Sequence, residues 1–149
     1  MKALAVIPLA VLLAACGSAS KPKAGDPLPL GPPPRTAKIS PPPAWIETKA
    51  GNSWLGFSTY CWQAGNKGVC ADAVAPSCGL EGVPDLEVAK GETVSAHLGY
   101  DADEASVDNA KSELDGRTIT WQVMSSGAFS LFTKGRKGDA SYVACARFG

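Results

Sequence analysis

The chain has few of the residues that usually build catalytic and metal centres. It contains one histidine, His97, and no Cys-x-x-Cys pair among its five cysteines. A structural zinc site or a thioredoxin-like redox site is therefore poorly supported, because both need closely spaced thiolates or imidazoles. The net charge is zero at pH 7, and residues 51–149 carry 8 basic and 12 acidic side chains, a net charge of −4. This charge balance argues against a nucleic-acid partner.

The sequence also has no apolar run long enough to cross a bilayer, which takes about 20 residues. A shorter apolar segment, Ala3–Leu12, follows Lys2 and leads into Leu13-Ala14-Ala15-Cys16. A charged start, a short apolar stretch and small residues before a cleavage point are typical of a signal peptide. We expect residues 1–15 to be removed.

The Leu13-Ala14-Ala15-Cys16 order resembles the lipobox of bacterial lipoproteins. The resemblance implies that the Cys16 thiol receives a diacylglycerol and that the chain is cut just before it. Two acyl chains give stable anchoring, since each buried methylene contributes roughly 0.8 kcal/mol and one chain holds only marginally. The alternative is an ordinary secretory signal with a chance cysteine. The lipobox predicts a protein of the cell envelope that is held on a bacterial membrane outside the cytoplasm.

Residues 16–50 are predicted to be a lipidated cysteine followed by a disordered linker. Nine of the twelve prolines lie here, including Pro32-Pro33-Pro34 and Pro41-Pro42-Pro43. Proline fixes φ and removes a hydrogen-bond donor, which favours polyproline II over a sheet. At about 3.1 Å per residue the linker could reach roughly 100 Å.

Residues 51–149 are predicted to form one β-sandwich of about seven strands. Apolar and polar residues alternate in several short runs, which places one face in a core and the other in water. The predicted strands are Ser53–Trp62, Leu86–Val88, Thr93–Leu98, Thr118–Val123, Ala128–Thr133 and Ala140–Phe148, with weak alternation at Ala105–Val107. Between Val107 and Leu114 the pattern is weakly helical but lacks a wide apolar stripe. Short strands about ten residues apart are typical of a sandwich with Greek-key connections.

Two groups of residues resemble a group of exported bacterial lipoprotein domains with an immunoglobulin-like fold, whose members are largely uncharacterised. These are Ser58-Thr59-Tyr60-Cys61-Trp62 with Gly68-Val69-Cys70-Ala71-Asp72, and the closing Gly138-Asp139-Ala140-Ser141-Tyr142-Val143. The resemblance covers most of residues 53–149 and implies an all-β fold without implying an activity.

Four cysteines remain after Cys16 and allow three connectivities in an oxidising compartment. The resemblance places Cys61 and Cys70 on neighbouring strands, and the turn formers between them would bring their Cα atoms within disulfide reach. We therefore predict a Cys61–Cys70 bridge. The remaining cysteines give Cys78–Cys145, which should pin the Pro76–Pro84 loop to the outside of the sheet.

Four further groups of residues could bind or react. Trp54, Tyr60 and Trp62, beside Trp45, form a possible aromatic binding surface, although aromatics in a small sandwich are at least as often core. Asp101, Asp103, Glu104 and Asp108 could hold calcium, but the spacing does not match an EF-hand, and a solvated acidic loop is favoured. His97 could act as a base, but its position on a polar strand face favours a structural role. The basic turn Lys134–Gly138 is interpreted as a hairpin tip.

No catalytic residues, metal or cofactor are predicted. The main hypothesis is a monomeric, non-enzymatic lipoprotein that presents the sandwich to a protein or envelope-polymer partner. The alternative is an inhibitor or accessory domain that acts on an exported enzyme.

Overall fold

The computed structural model describes residues 28–73 and 75–149. The predicted signal peptide, the lipobox and Cys16 lie outside this range. Across the described residues no helix has the length and apolar character needed to cross a membrane. The strands are β1 (Trp45–Thr48), β2 (Gly51–Trp54), β3 (Gly56–Ala64), β4 (Lys67–Ala71), β5 (Asp85–Val88), β6 (Glu92–His97), β7 (Ala102–Val107), β8 (Ser112–Asp115), β9 (Thr118–Val123), β10 (Gly127–Gly135) and β11 (Gly138–Phe148).

The strands form two sheets that confirm the predicted β-sandwich. The first has the order β2-β1-β6-β9-β8, and the second has the order β4-β3-β11-β10-β7, with β5 paired in parallel to β11. When β2, β3 and β4 are left out, β1-β6-β9-β8 in the first sheet correspond to strands A-B-E-D of an immunoglobulin-like sandwich. In the second sheet β7-β10-β11 correspond to strands C-F-G. The hairpins of β2, β3 and β4 are an insertion between β1 and β5. The strands number eleven instead of the predicted seven or so, because the predicted strand Ser53–Trp62 divides into β2 and β3 and because β1, β4 and β8 are additional.

The core lies between the sheets and takes its side chains from alternate strand positions. Val94 and Ala96 on β6 meet Ile119 and Trp121 on β9, as the alternation predicts. From the other sheet Tyr142, which is fully buried, packs against Phe57 with ring centroids 5.2 Å apart. The core cluster contains Ala44, Ile46, Leu55, Leu86, Val88, Val94, Ala96, Leu98, Val107, Ile119, Trp121, Val123, Leu131, Ala140, Tyr142, Ala144 and Ala146.

The predicted strand Ser53–Trp62 is two strands in different sheets. Leu55 is fully buried between β2 and β3, and its N–H donates to the carbonyl of Ala44 at 2.9 Å. At this residue the chain leaves the first sheet and enters the second. Strand propensity does not reveal such a crossing, because both sides of it have the same composition.

The folded region begins before Gly51, the predicted start of the domain. Strand β1 lies inside the range 16–50 and pairs with both β2 and β6. Its apolar residue Ile46 is fully buried in the core. A proline run directly before a four-residue strand hides this pattern, because proline predicts a break in the sheet.

The weakly helical stretch 107–114 is a turn followed by a strand. Asn109 adopts a left-handed φ of 56°, which ends any helix. Strand β8 then pairs with β9, opposing Leu114 to Ile119.

Both predicted disulfides are present. Cys61 and Cys70 face each other across the β3–β4 hairpin, with Cα atoms 4.0 Å apart. Cys78 and Cys145 join the Pro76–Pro84 loop to β11, with Cα atoms 5.2 Å apart. Cys145 lies on the face of β11 opposite the core residue Tyr142, yet it is only 1% exposed. The loop therefore covers the outside of the sheet.

Candidate functional site

The three aromatic residues predicted to form a binding surface have different surroundings. Trp62 is only 5% exposed and packs edge-to-face on Tyr100, with ring centroids 4.8 Å apart. Tyr60 is half-buried against the core and lies edge-to-face with Phe57 at 6.1 Å. Both side chains are thus part of the interior, because β3 turns this face towards the first sheet. Trp54 lies beside an open cavity.

Trp54 lies at the end of β2, where the chain crosses between the sheets. The β1–β2 hairpin sets Trp54 directly opposite Trp45, and Trp45 lies opposite His97 on β6. The rings of Trp45 and His97 stack with centroids 4.0 Å apart and planes inclined by 19°. Three aromatic rings therefore form one cross-strand row on the outer face of the first sheet, an arrangement that stabilises paired strands.

A cavity of about 400 Å³ opens beside Trp54, and we call it the tryptophan groove. One wall comes from the segment before β1, one from the β2–β3 crossing and one from the residues that precede β5. The lining residues are Leu30, Pro32, Pro34, Asn52, Ser53, Trp54, Leu55, Gly56, Gly82, Val83 and Pro84. None of them carries a titratable side chain. A mostly apolar groove of this size with a few polar groups is typical of a binding site.

The indole N–H of Trp54 is a hydrogen-bond donor beside the groove. It donates to the main-chain carbonyl of Gly31 at 3.2 Å. Gly31 has a φ of +85°, so the chain bends at the point where its carbonyl meets the indole. Ser53 uses its hydroxyl locally and donates to the carbonyl of Trp54 at 3.3 Å.

A second cavity, of about 330 Å³, lies behind Gly82 and Val83, which line both cavities. Phe57, Val143 and Leu80 contribute to its walls. The carbonyl of Gly82 lies so close to β3 that a Cβ at Gly56 would approach it within 1.8 Å. The loop therefore touches the strand backbone and forms a ridge between the two cavities.

His97 lies against Trp45 and Glu47. Its Nε2 atom is 3.5 Å from a carboxylate oxygen of Glu47 but makes no hydrogen bond. Neither neighbour is a nucleophile that the imidazole could activate. The geometry thus matches the structural role expected of this residue.

The acidic side chains of Asp101, Glu104 and Asp108 each interact with a different group. Arg117 donates two hydrogen bonds to Asp101, at 2.9 and 3.3 Å, and these bonds and the positive charge lower the pKa of that carboxyl. Glu104 lies 3.8 Å from Lys134 of the basic turn, and Asp108 accepts from the main-chain N–H of Ser130 at 3.3 Å. Among residues 28–73 and 75–149, no three acidic, histidine or cysteine side chains are grouped to hold a metal ion.

Comparison of the chain with known protein families, with curated proteins and with solved structures finds no match. Sequence reasoning selected Trp54 but missed the proline segment and the Gly82–Pro84 residues that complete the groove. The available signal was the Leu30-Gly31-Pro32 sequence, in which a glycine between apolar residues and proline predicts a bend.

Proposed function

We propose that the chain is a lipid-anchored binding protein of the bacterial envelope, whose sandwich holds a protein or polymer partner in the tryptophan groove. The observation that carries the proposal is the uncharged groove of about 400 Å³ beside the Trp54 indole N–H. An apolar surface with an aromatic donor provides contact area and one directional hydrogen bond. No acidic or basic side chain lines the groove to activate the Ser53 hydroxyl, which donates to the carbonyl of Trp54, so the proposed role is non-enzymatic.

The proposed location rests on two independent features of the chain. The lipobox-like Leu13-Ala14-Ala15-Cys16 implies a membrane anchor, and the two disulfides suit an oxidising compartment. The proline-rich residues after Cys16 would hold the sandwich away from the lipid surface.

The groove can be tested by photo-crosslinking in intact cells. Asn52 lines the groove from the edge strand β2 and lies outside the core cluster, so a benzophenone amino acid placed there should not disturb the fold. The control position is Met124, which is 60% exposed and lies outside the groove. We expect a discrete adduct from position 52 that position 124 does not produce. Identical adducts from both positions, or none from position 52, would reject the groove as the binding site.

The inhibitor alternative is favoured by one observation. The loop before β5 is pinned at Cys78 by the bond to Cys145 and presents Leu80 with 45% of its side chain exposed. A constrained loop with an apolar tip can enter a cleft at low entropic cost. A benzophenone at position 80 that links the chain to an exported hydrolase would support this function over the groove.

A further inference from the structure

The groove is closed on one side by the chain itself. Residues 28–34, which we call the strap, run beside Trp54 and contribute Leu30, Pro32 and Pro34 to the groove wall. Pro29 of the strap is buried, whereas its neighbours Leu28 and Leu30 are 64% and 99% exposed. The Trp54–Gly31 hydrogen bond fastens the strap to the sandwich.

The residues just before β1 are held far more firmly. Pro41 is fully buried. The carbonyl of Pro42 accepts from the Tyr142 hydroxyl at 2.8 Å, and Pro42 packs so closely on Gly99 that a Cβ there would approach it within 2.5 Å. Residues 35–38, which join the strap to this firm part, are exposed. The strap can therefore leave the groove while Pro41 and Pro42 keep their contacts with the sandwich.

The contacts of the strap match a known mode of peptide recognition. In this mode, proline rings lie in an apolar groove while an aromatic N–H donates to a main-chain carbonyl. Extended proline-containing segments have such carbonyls free, because they form no internal hydrogen bonds. Such segments also lose little conformational entropy on binding. No charged side chain lines the groove, so the segment that fits there is itself uncharged.

We infer that the tryptophan groove binds an uncharged, proline-containing extended segment of a partner protein, and that the strap occupies the site as an intramolecular competitor. This inference rests on the proposed binding function and specifies its ligand class. A main-chain carbonyl of the partner segment replaces the Gly31 carbonyl as the acceptor of the Trp54 indole N–H. The apparent affinity for the partner is reduced by the fraction of molecules in which the strap is bound.

The inference can be tested with a synthetic peptide of the strap sequence, Leu-Pro-Leu-Gly-Pro-Pro-Pro, titrated into the full chain in detergent. Gly31→Pro should release the strap, because proline cannot adopt the φ of +85° found at Gly31. A Cβ at position 31 meets no atom within 4 Å, so the sandwich should be unaffected. Pro33→Ala is the control, since Pro33 is an exposed strap residue outside the groove wall.

We expect the Gly31→Pro chain to bind the peptide about ten-fold more tightly than wild type and Pro33→Ala to match wild type. The Trp54 indole N–H resonance, assigned with Trp54→Phe, should shift in Gly31→Pro and shift back as peptide is added. Trp54→Phe in the Gly31→Pro background should weaken peptide binding about three- to ten-fold, because only the N–H donor is lost. An unchanged melting temperature verifies that each variant is folded.

Three results would overturn the inference. They are equal peptide affinity in wild type and Gly31→Pro, no saturable binding to Gly31→Pro, and no effect of Trp54→Phe. If the position 52 adduct forms but peptide binding fails, the proposed binding function stands and the ligand class is wrong. If peptide binding behaves as expected but no adduct forms in cells, the groove chemistry holds and the proposed envelope partner is rejected.

Discussion

The two disulfides should differ in how much they stabilise the domain, and paired cysteine-to-alanine variants test this. Cys61 and Cys70 are nine residues apart, whereas Cys78 and Cys145 are 67 residues apart. A cross-link stabilises mainly by restricting the unfolded chain, and the effect grows with the logarithm of the closed loop. The Cys78–Cys145 bond should therefore contribute more to the free energy of unfolding.

The structure allows the difference to be sized. The loop-entropy relation gives about 2.6 kcal/mol for a separation of nine residues and about 4.4 kcal/mol for one of 67. Burial should add to the stabilisation by the Cys78–Cys145 bond, because Cys145 and its neighbour Val143 are 1% and 2% exposed beneath the pinned loop. Cys61 and Cys70 are both exposed. A difference of about 2 kcal/mol should lower the melting temperature by roughly 5–10 °C more for the Cys78 and Cys145 pair.

Calorimetry of the wild type and the two double alanine variants at one pH provides the comparison. Both variants should keep a β-sheet circular dichroism spectrum, since both bridges lie outside the core cluster. Using alanine at both members of a pair avoids a free thiol that could form a new bridge. If the Cys61 and Cys70 pair lowered the melting temperature equally or more, the loop-entropy reasoning would be refuted for this fold.

Three further predictions concern the anchor and the packing of the sandwich. Cys16→Ser should release the protein from membranes after a carbonate wash, and a variant that still sediments with membranes would contradict the lipobox interpretation. Glu92 is 5% exposed, and main-chain N–H donors of Ala89 and Lys49, at 2.8 and 2.6 Å, lower its pKa. Its contribution to stability should therefore be present at neutral pH and lost as the pH falls below about 4. Glu92→Gln should lower the free energy of unfolding by about 1–3 kcal/mol at pH 7. In denaturant unfolding, the stability of this variant should change less with pH in the acid range than that of the wild type. Gly56→Ala should destabilise the domain by about 1–3 kcal/mol because its Cβ would meet the Gly82 carbonyl, whereas the control Gly68→Ala, with 3.6 Å to its nearest atom, should cost much less in the same assay.

Local patterns predicted the class of the fold and much of its core. Val94 and Ala96, like Ile119 and Trp121, are buried as a period of two requires. The last strand follows the pattern less fully, since the alternation that buries Tyr142 and Ala144 would also bury Phe148, which is 39% exposed. It lies at the end of β11, where only the parallel strand β5 pairs with the chain.

The candidate site could be predicted only in part. Trp54 and Trp62 belong to the same predicted strand, yet the first lies beside a groove and the second lies inside the domain. Which aromatic is covered depends on Leu55, where the chain passes from one sheet to the other, and on Tyr100, which arrives from a distant part of the chain. No local pattern contains these contacts.

The sequence by itself determined that the chain forms strands rather than helices, that Cys61 returns beside Cys70 through a short turn, and that proline-rich residues precede the domain. These properties depend on neighbours within about ten residues, where alternation, turn chemistry and the fixed φ of proline act directly. Tertiary structure decided that residues 28–34 lie beside Trp54, that the loop at Cys78 covers β11, and that β1 joins the first sheet. Those outcomes depend on surfaces that meet only when both sheets have formed, because burial is a property of the assembled layers and not of any one strand.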